Sequence, residues 1–554
     1  MRDAEFNLLD EKWILVRKSD CSIDELSLTD ALLLSHQYTA LSGELPTQDV
    51  SLLRLLLAVL HTVFARYAPD GSYSPLTKPS EAMRRWKELW NAGKFPEKPI
   101  RDYLASQHER FWLFHPERPF YQTNAAKVGT EYSASKLNGI PSESGNKIRL
   151  FPMVSGKRKN GLTYAEAARW LIYVNNYDDT SSKPKGKNLP SPGAGWLGKL
   201  GIITARGNTL FETLMLNLIL WRSERKELWG EEKPSWELKQ AREAERCEIA
   251  MPDNLSELYT LQSRRLLLKR SDGSVTGYSL LGGDFFDKAD AFVEPMTIWK
   301  ECKGSDRKQT QLQPRRHNTS VKMWREFAAA FVADGSARKP GIVSWIEQLR
   351  KEGGIEKRRY ISFSVAAVQY GDKDFFVTDV FADELTFHTD LITELGKRWL
   401  GFVSDEVGSC YALAYQLKLL TTNIEIAAGS SPETASQSSA VTEAREQFYH
   451  EIDIPFRTWL MSIDPEWENG SDEERNCLQS WHETALRIAL QIGRRIVDEA
   501  GDTAVIGRLV SNEKDNSGKT KSGKTGEMYY SAASAYNGFV RSVNKIYISE
   551  KKNG

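Results

Sequence analysis

Cysteine is scarce in this chain. The five are Cys21, Cys247, Cys302, Cys410 and Cys477, in 554 residues. Their number is odd, they lie far apart, and no CxxC pair occurs. Neither a disulfide framework nor a cysteine zinc site is expected, and the usage suits a reducing cytoplasm. Histidine is equally sparse, with eight residues, none at ligand spacing. His482-Glu483 opens like a zincin helix, but no second histidine follows. No metal and no cofactor is therefore expected. Long hydrophobic runs are also missing. The most apolar stretches, Leu52–Phe64 and Leu210–Trp221, fall short of the roughly 18–20 residues of a bilayer span. Arg54 and Glu212 interrupt them, so they read as buried amphipathic helices and no membrane partner is expected. The N-terminus has no basic start followed by an apolar core, so a signal peptide is not expected. An excess of charge is absent too, with 74 Lys+Arg against 74 Asp+Glu. That balance excludes a bulk polyelectrolyte binder and an acidic disordered protein. It leaves room for a local basic patch on a neutral whole.

Signatures of catalysis are few. There is no G-x-S-x-G elbow, no cysteine with an evident histidine partner, and no announced carboxylate pair. One pattern does match. Gly518-Lys519-Thr520-Lys521-Ser522-Gly523-Lys524-Thr525 fits the phosphate-binding G-x-x-x-x-G-K-[ST] pattern. A working loop of that kind follows a buried strand and needs a later acid for magnesium. The residues before it, 511–516, do not read as a strand. Only 29 residues follow Thr525 in a chain of 554. A lysine-rich connection between two helices is the simpler reading. A nucleotide hydrolase built on 518–525 stands as an alternative function, and a pure protein scaffold as a second.

Aromatic side chains, by contrast, are plentiful: 16 Trp, 22 Phe and 20 Tyr. They serve either as large core residues or as stacking and interface anchors. The length suggests two to four domains. Phe6–Arg17 looks like a turn feeding a strand. A helix starts near Ser27, and leucines 52, 55, 56 and 60 form a helical stripe. Tyr103–Phe114 is expected as an aromatic-rich helix, Asn124–Asn160 as a long loop, and Thr163–Asn175 as a helix. Thr180–Gly201 is the most loop-like stretch, and Thr209–Arg222 is expected as a helix. Ser256–Leu268 with Asp272–Tyr278 predicts one hairpin, and Tyr360–Gln369 with Phe375–Phe381 a second. Four helical stretches then follow: Thr389–Ile426, Glu433–Ile463, Ser471–Ala500 and Met528–Ile548. Ser471-Asp472-Glu473-Glu474 at the start of the third has the capping-box pattern. Irregular mixing of helices and strands argues an α+β fold. A large mixed α/β domain over 1–387 would be followed by a four-helix bundle over 388–554.

Basic residues gather in or beside turns: Lys157-Arg158-Lys159, the lysines at 183, 185, 187 and 199, Arg264-Arg265, Arg315-Arg316 and Arg358-Arg359. Any one pair could be a solvated surface. Together, next to glycine-rich turns, they suit phosphate backbones, because glycine permits close approach and a cation neutralises charge.

Six segments carry a resemblance. They are FNLLDEKWILVR (Phe6–Arg17), HPERPFYQT (His115–Thr123), LTYAEAARWLIYVNNYD (Leu162–Asp178), PGAGWLGKLG (Pro192–Gly201), YTLQSRRLLL (Tyr259–Leu268) and EPMTIWK (Glu294–Lys300). In this order they resemble the large subunit of the type I-E CRISPR Cascade complex, the CasA family. The resemblance implies a non-catalytic subunit with a mixed N-terminal domain and a C-terminal four-helix bundle. It implies recognition of the protospacer-adjacent motif in duplex DNA, help with strand opening and R-loop formation, and a landing surface for a helicase-nuclease. The implied partners are the CRISPR guide RNA, the other Cascade subunits and double-stranded target DNA.

Site residues follow from the same resemblance. The family's glycine loop falls at Gly193-Ala194-Gly195, with Lys199 just beyond. Its basic finger falls at Arg264 or Arg265. Its wedge hairpin falls at Gly371-Asp372-Lys373-Asp374, where the family's glutamine is missing and Phe375 and Phe376 follow. An aromatic there could unstack a base pair, while the two carboxylates would repel phosphate. The segment Lys136–Lys159, with Phe151, Lys157, Arg158 and Lys159, resembles the part that touches the guide RNA and neighbouring subunits. The paired cysteines with which some members hold zinc are absent.

Overall fold

The computed structural model describes residues 4–140, 156–181, 184–288, 293–303, 310–332, 337–511 and 527–548. The chain divides into two compact units, Met1–Leu385 and Thr386–Gly554. The first carries the candidate site.

The first unit is built around helix α1, Pro46–Arg66. Proline opens it at the first turn, where its missing N–H costs nothing, and almost every side chain from Val50 to Phe64 is buried. Among the described residues it is the one helix long and apolar enough to cross a membrane, and 89% of its apolar window is buried inside the protein. Arg54 is the cation inside this apolar helix. Its Nη1 and Nη2 each donate to a different Glu294 oxygen at 3.0 Å, and neither side chain is exposed. Trp196 Nε1 donates to the same carboxylate at 2.9 Å. The core of the unit is thereby tied to the residue next to Gly195. Helix α2, Tyr164–Tyr177, starts on a complete capping box in which Thr163 and Glu166 satisfy each other's backbone amides. Eleven consecutive residues, Ala167–Tyr177, are buried, so the end of α2 is rigidly placed.

Six strands of this unit matter for the site: β1 (Thr130–Ser133), β2 (Ile202–Arg206), β3 (Arg264–Ser271), β4 (Ser274–Gly282), β5 (Tyr360–Tyr370) and β6 (Val377–His388). One sheet has the order β3-β4-β1 and another β6-β5-β2. In the first, Arg264 faces Gly282 and Ser271 faces Ser274, so the turn sits at Asp272-Gly273. In the second, Ser362 pairs with Arg206 and Ala366 with Ile202.

Several expected elements differ. The segment 103–114 is not one helix. A helix ends at Ser106, and Trp112–Phe114 pairs antiparallel with Glu5–Asn7. Tertiary pairing overrides the local aromatic pattern there. The expected loop 124–160 contains β1, which adds a third strand to β4, followed by the short helix Ala134–Leu137. The helix expected over 209–222 stops at Asn217. Its amide bonds instead with the Ala205 backbone on β2, accepting from the N–H at 3.1 Å and donating to the carbonyl at 2.6 Å. The strand expected from 256 begins only at Arg264. Asn254 caps a short helix, Leu255–Tyr259, in front of it.

The second unit holds four long helices: α3 (Lys397–Ala428), α4 (Ser439–Ser462), α5 (Asp472–Asp498) and α6 (Ala532–Ile548). The buried Glu406 of α3 joins it to α5, accepting from Trp481 Nε1 at 2.8 Å and pairing with His482 Nε2 at 2.7 Å. Ser471 accepts from the Glu474 amide at 3.2 Å, but the Glu474 carboxylate turns to Arg398 at 2.7 Å rather than back to the cap. Only half of the expected box forms. Met528 lies in strand β8 (Glu527–Tyr530), which pairs antiparallel with β7 (Arg508–Ser511). The pattern Gly518–Thr525 lies outside the described residues. The strands that bracket it form a two-stranded sheet of their own. That is not the buried parallel sheet a nucleotide-binding loop extends from.

Candidate nucleic-acid interface

Three residues after α2, Asp178-Asp179-Thr180, connect the expected site segments. The Asp178 carbonyl accepts from Gly195 N–H at 2.9 Å. The Thr180 amide donates to the Asp374 carbonyl at 3.2 Å, and its hydroxyl donates to the Lys373 and Asp374 carbonyls at 3.0 and 3.1 Å. The Asp179 carboxylate accepts from Phe376 N–H at 3.0 Å. The glycine turn and the 371–376 tip are distant in sequence, yet both are fastened to this one junction.

Two positions in the turn need glycine for different reasons. Gly193 has φ of +66°, and a Cβ there would meet nothing within 4 Å. Its outer side is open, so another molecule can approach the backbone closely. A Cβ on Gly195 would lie 2.3 Å from the Asn176 carbonyl oxygen, which is rigid backbone at the end of α2. Gly195→Ala is therefore expected to push the turn off its seat at about 1–3 kcal/mol, the usual cost of overpacking. A shift in the denaturant unfolding midpoint checks it.

Arg264 and Arg265 are placed differently from the expectation of a projecting finger. Both side chains are fully buried. Arg264 Nε donates to Asp178 at 2.5 Å, and its Nη2 donates to the Asp179 carbonyl at 3.0 Å and the Gly193 carbonyl at 2.6 Å. Arg265 pairs with Asp284 and donates to the carbonyls of Ala244 and Gln262. The planar guanidinium satisfies several acceptors at once, which is why it serves inside the fold. Arg264 thus positions the glycine turn from beneath. Burial pushes the Asp178 carboxyl up, against the opposing pull of Arg264. Asp179 is buried as well, but the Lys136 ammonium at 2.5 Å and the Ser181 hydrogen bonds hold its carboxyl below the usual range.

The tip is a tight turn. Gly371 N–H donates to the Phe376 carbonyl at 2.9 Å, and Lys373, Asp374 and Phe376 all have positive φ. Asp372 and Lys373 are exposed. Of the two aromatics, Phe376 is buried beneath Lys136, whose ammonium lies 4.7 Å from its ring, while Phe375 is 37% exposed. Only Phe375 is presented outward. Asp374 does not face solvent as a lone acid. Its carboxylate pairs with Lys199 at 2.5 Å and with Arg316 at 2.8 Å. Partial burial opposes its ionisation, but these two cations outweigh it and hold the carboxyl below its usual range. Arg316 remains 61% exposed, and its segment is bridged to Leu200.

Lys157 and Lys159 stand in a short helical turn, Lys157–Asn160, with Arg158 between them. Phe151 and Lys183 lie outside the described residues. The other dibasic pairs are used within the fold: Arg315 bonds Glu326 at 2.7 Å and Arg359 bonds Glu212 at 2.5 Å. Among the described residues, no group of three or more metal-ligating side chains occurs. Lys136, expected at the start of the segment that touches guide RNA, is instead buried against Asp179, and sequence reasoning missed Asp178, Asp179 and Thr180. The one available signal was a pair of adjacent acids between a buried helix and a glycine turn.

Comparisons with known proteins agree with the fold. The model of the family CRISPR-associated protein Cse1 matches residues 7–492. CRISPR-associated protein CasA/Cse1 of Thermus thermophilus is 34% identical over 235 residues, 42% of each chain, so the match spans about two-fifths of that relative's length. The crystal structure of Thermobifida fusca Cse1 superposes with a TM-score of 0.80 at 27% identity, covering 98% of both chains. A chain of a CRISPR RNA-guided surveillance complex shares the fold at 16% identity, with a TM-score of 0.69 over 98% of this chain and all of its own.

Proposed function

Since the chain belongs to the CRISPR-associated Cse1 (CasA) family of Cascade large subunits, we propose that it reads a protospacer-adjacent motif in duplex DNA for a guide-RNA complex in the cytoplasm. It acts without catalysis of its own. One observation carries the reading: the open Gly193 turn and the 371–376 tip are fastened side by side on Asp178–Thr180. Gly193 offers backbone to a groove where a side chain would collide. Lys199, Arg316 and Lys373 supply phosphate contacts that fix register without reading sequence. Phe375 takes the place of a wedge glutamine and enters the stack beside the motif, which starts strand opening and R-loop formation. Guide RNA pairing then reads the remaining sequence. The exposed apolar residues Tyr411, Tyr415, Ile454 and Met461 on α3 and α4 support a protein-docking role for the bundle, toward Cascade neighbours or the incoming helicase-nuclease. Lys157, Arg158 and Lys159, with Phe151, are assigned to the guide RNA or neighbouring subunits.

The test compares motif-bearing with motif-free duplex, bound by the reconstituted complex with and without this chain. Discrimination should depend on the chain. Gly193→Asn should fold, because asparagine tolerates the left-handed conformation, and should reduce discrimination about tenfold, the loss of one close groove contact. Unchanged discrimination without the chain would refute the reading.

A further inference from the structure

The loop that leads into the glycine turn holds an internal anion. Lys185 N–H donates to both carboxylate oxygens of Glu245, at 3.0 and 3.2 Å, and Gly186 N–H donates to one of them at 3.0 Å. Two consecutive amides converging on one anionic group form the kind of concavity that binds phosphate. The next residue, Arg246, fastens the same loop further on. Its Nε donates to the Pro190 carbonyl at 3.2 Å, while its guanidinium lies 4.0 Å from the centre of the Phe285 ring.

Four features set this apart from an ordinary loop bolt. The two amides belong to exposed residues. The carboxylate filling them comes from a different segment, sixty residues away. Lys185 and Lys187 stand exposed on the same loop, so cations exceed the one acid. The loop then continues through Pro192 into Gly193, whose backbone is open on its outer side. A carboxylate and a phosphodiester present the same charged acceptor oxygens to an N–H pair.

We propose that the Lys185 and Gly186 amides are a phosphate-binding site that Glu245 fills in the free protein. One phosphodiester of the target duplex displaces Glu245 when the groove meets Gly193. The inference rests on the duplex-reading role proposed above and names the phosphate contact nearest the motif. Glu245 returns to water as the phosphate enters, so the exchange costs little when the register is right. Where the duplex stands off Gly193, the amides stay occupied and no contact forms. The acid therefore sets a threshold against misplaced DNA. The duplex is favoured over guide RNA because the cradle and the Gly193 turn lie on one continuous loop.

Glu245→Gln tests it in the assembled complex. Glutamine keeps an acceptor for the two amides, so the loop stays fastened, but a neutral acceptor competes far less well with phosphate. Affinity for motif-bearing duplex should rise about three- to tenfold, as expected when a charge-assisted competitor becomes a neutral one. Motif-free duplex should gain more, because the threshold is lowered. Lys187→Ala should weaken duplex binding about threefold and flatten its salt dependence by about one phosphate. Unchanged duplex affinity in Glu245→Gln would overturn the proposal, as would a shift in guide RNA loading alone. Lys199→Ala with Arg316→Ala separates the two readings. If that pair weakens duplex binding while Glu245→Gln leaves it unchanged, the cradle assignment alone fails. If the pair has no effect either, the duplex-reading role fails with it.

Discussion

Arg264→Ala is expected to lower stability by about 3–5 kcal/mol, the range for breaking a buried ion pair from one side. The guanidinium is fully buried and makes bonds to Asp178, Ser263, Asp179 and Gly193. Alanine leaves the buried Asp178 carboxylate with its bonded cation gone and the Asp179 charge still beside it. It also leaves the Gly193 carbonyl without its donor. Denaturant unfolding should show a lower midpoint. Arg264→Lys should recover only part of the loss, because a point charge cannot span carboxylate and carbonyls together. Duplex binding should fall as well, although the side chain touches no DNA. A projecting finger predicts the opposite split: full stability with lost binding. The two measurements together therefore decide between a positioning arginine and a reaching one.

The second large effect is electrostatic. Lys199→Ala with Arg316→Ala removes both cations that hold Asp374. The complex should bind duplex at least about tenfold more weakly at low salt, and its log-log salt slope should flatten by about two phosphate contacts. The loss exceeds that of two deleted contacts because the sign of the surface reverses. With its partners gone, the Asp374 carboxylate stands free against the phosphate backbone. Adding Asp374→Asn to the double variant should restore part of the affinity without restoring the lost contacts. Equal affinity in the double and triple variants would show that Asp374 does not oppose DNA in this way.

The sequence was most readable where one local rule decides the outcome. The helix after Thr163, the Asp272-Gly273 turn and the four long helices of the second unit each follow from nearby residues. It was least readable where a distant partner decides. Trp112–Phe114 forms a strand because Glu5–Asn7 pairs with it, and α3 recruits the Glu474 carboxylate away from its own cap through Arg398. The site shows the same division. Gly193, Lys199 and the 371–375 tip were singled out from the sequence through glycine, charge and resemblance. The direction of Arg264 and Arg265 was not, since two adjacent arginines read alike whether they project or pair inside. Asp178 and Asp284 are what turn them inward, and neither partner adjoins the arginines in sequence. The zero net charge has a counterpart at smaller scale: in this surface Asp374 pairs with Lys199 and Arg316, and under the proposed function it limits how strongly those cations hold DNA.

The proposed function requires the surface fastened to Asp178–Thr180 to lie against duplex DNA at the motif. Lys373→Cys, carrying a short photo-crosslinker, tests it most directly in the assembled complex, because residue 373 is exposed at the tip. Crosslinks should form to duplex positions at the edge of the motif and should drop sharply on motif-free duplex. Crosslinks confined to neighbouring subunits, or spread evenly along both duplexes, would contradict it.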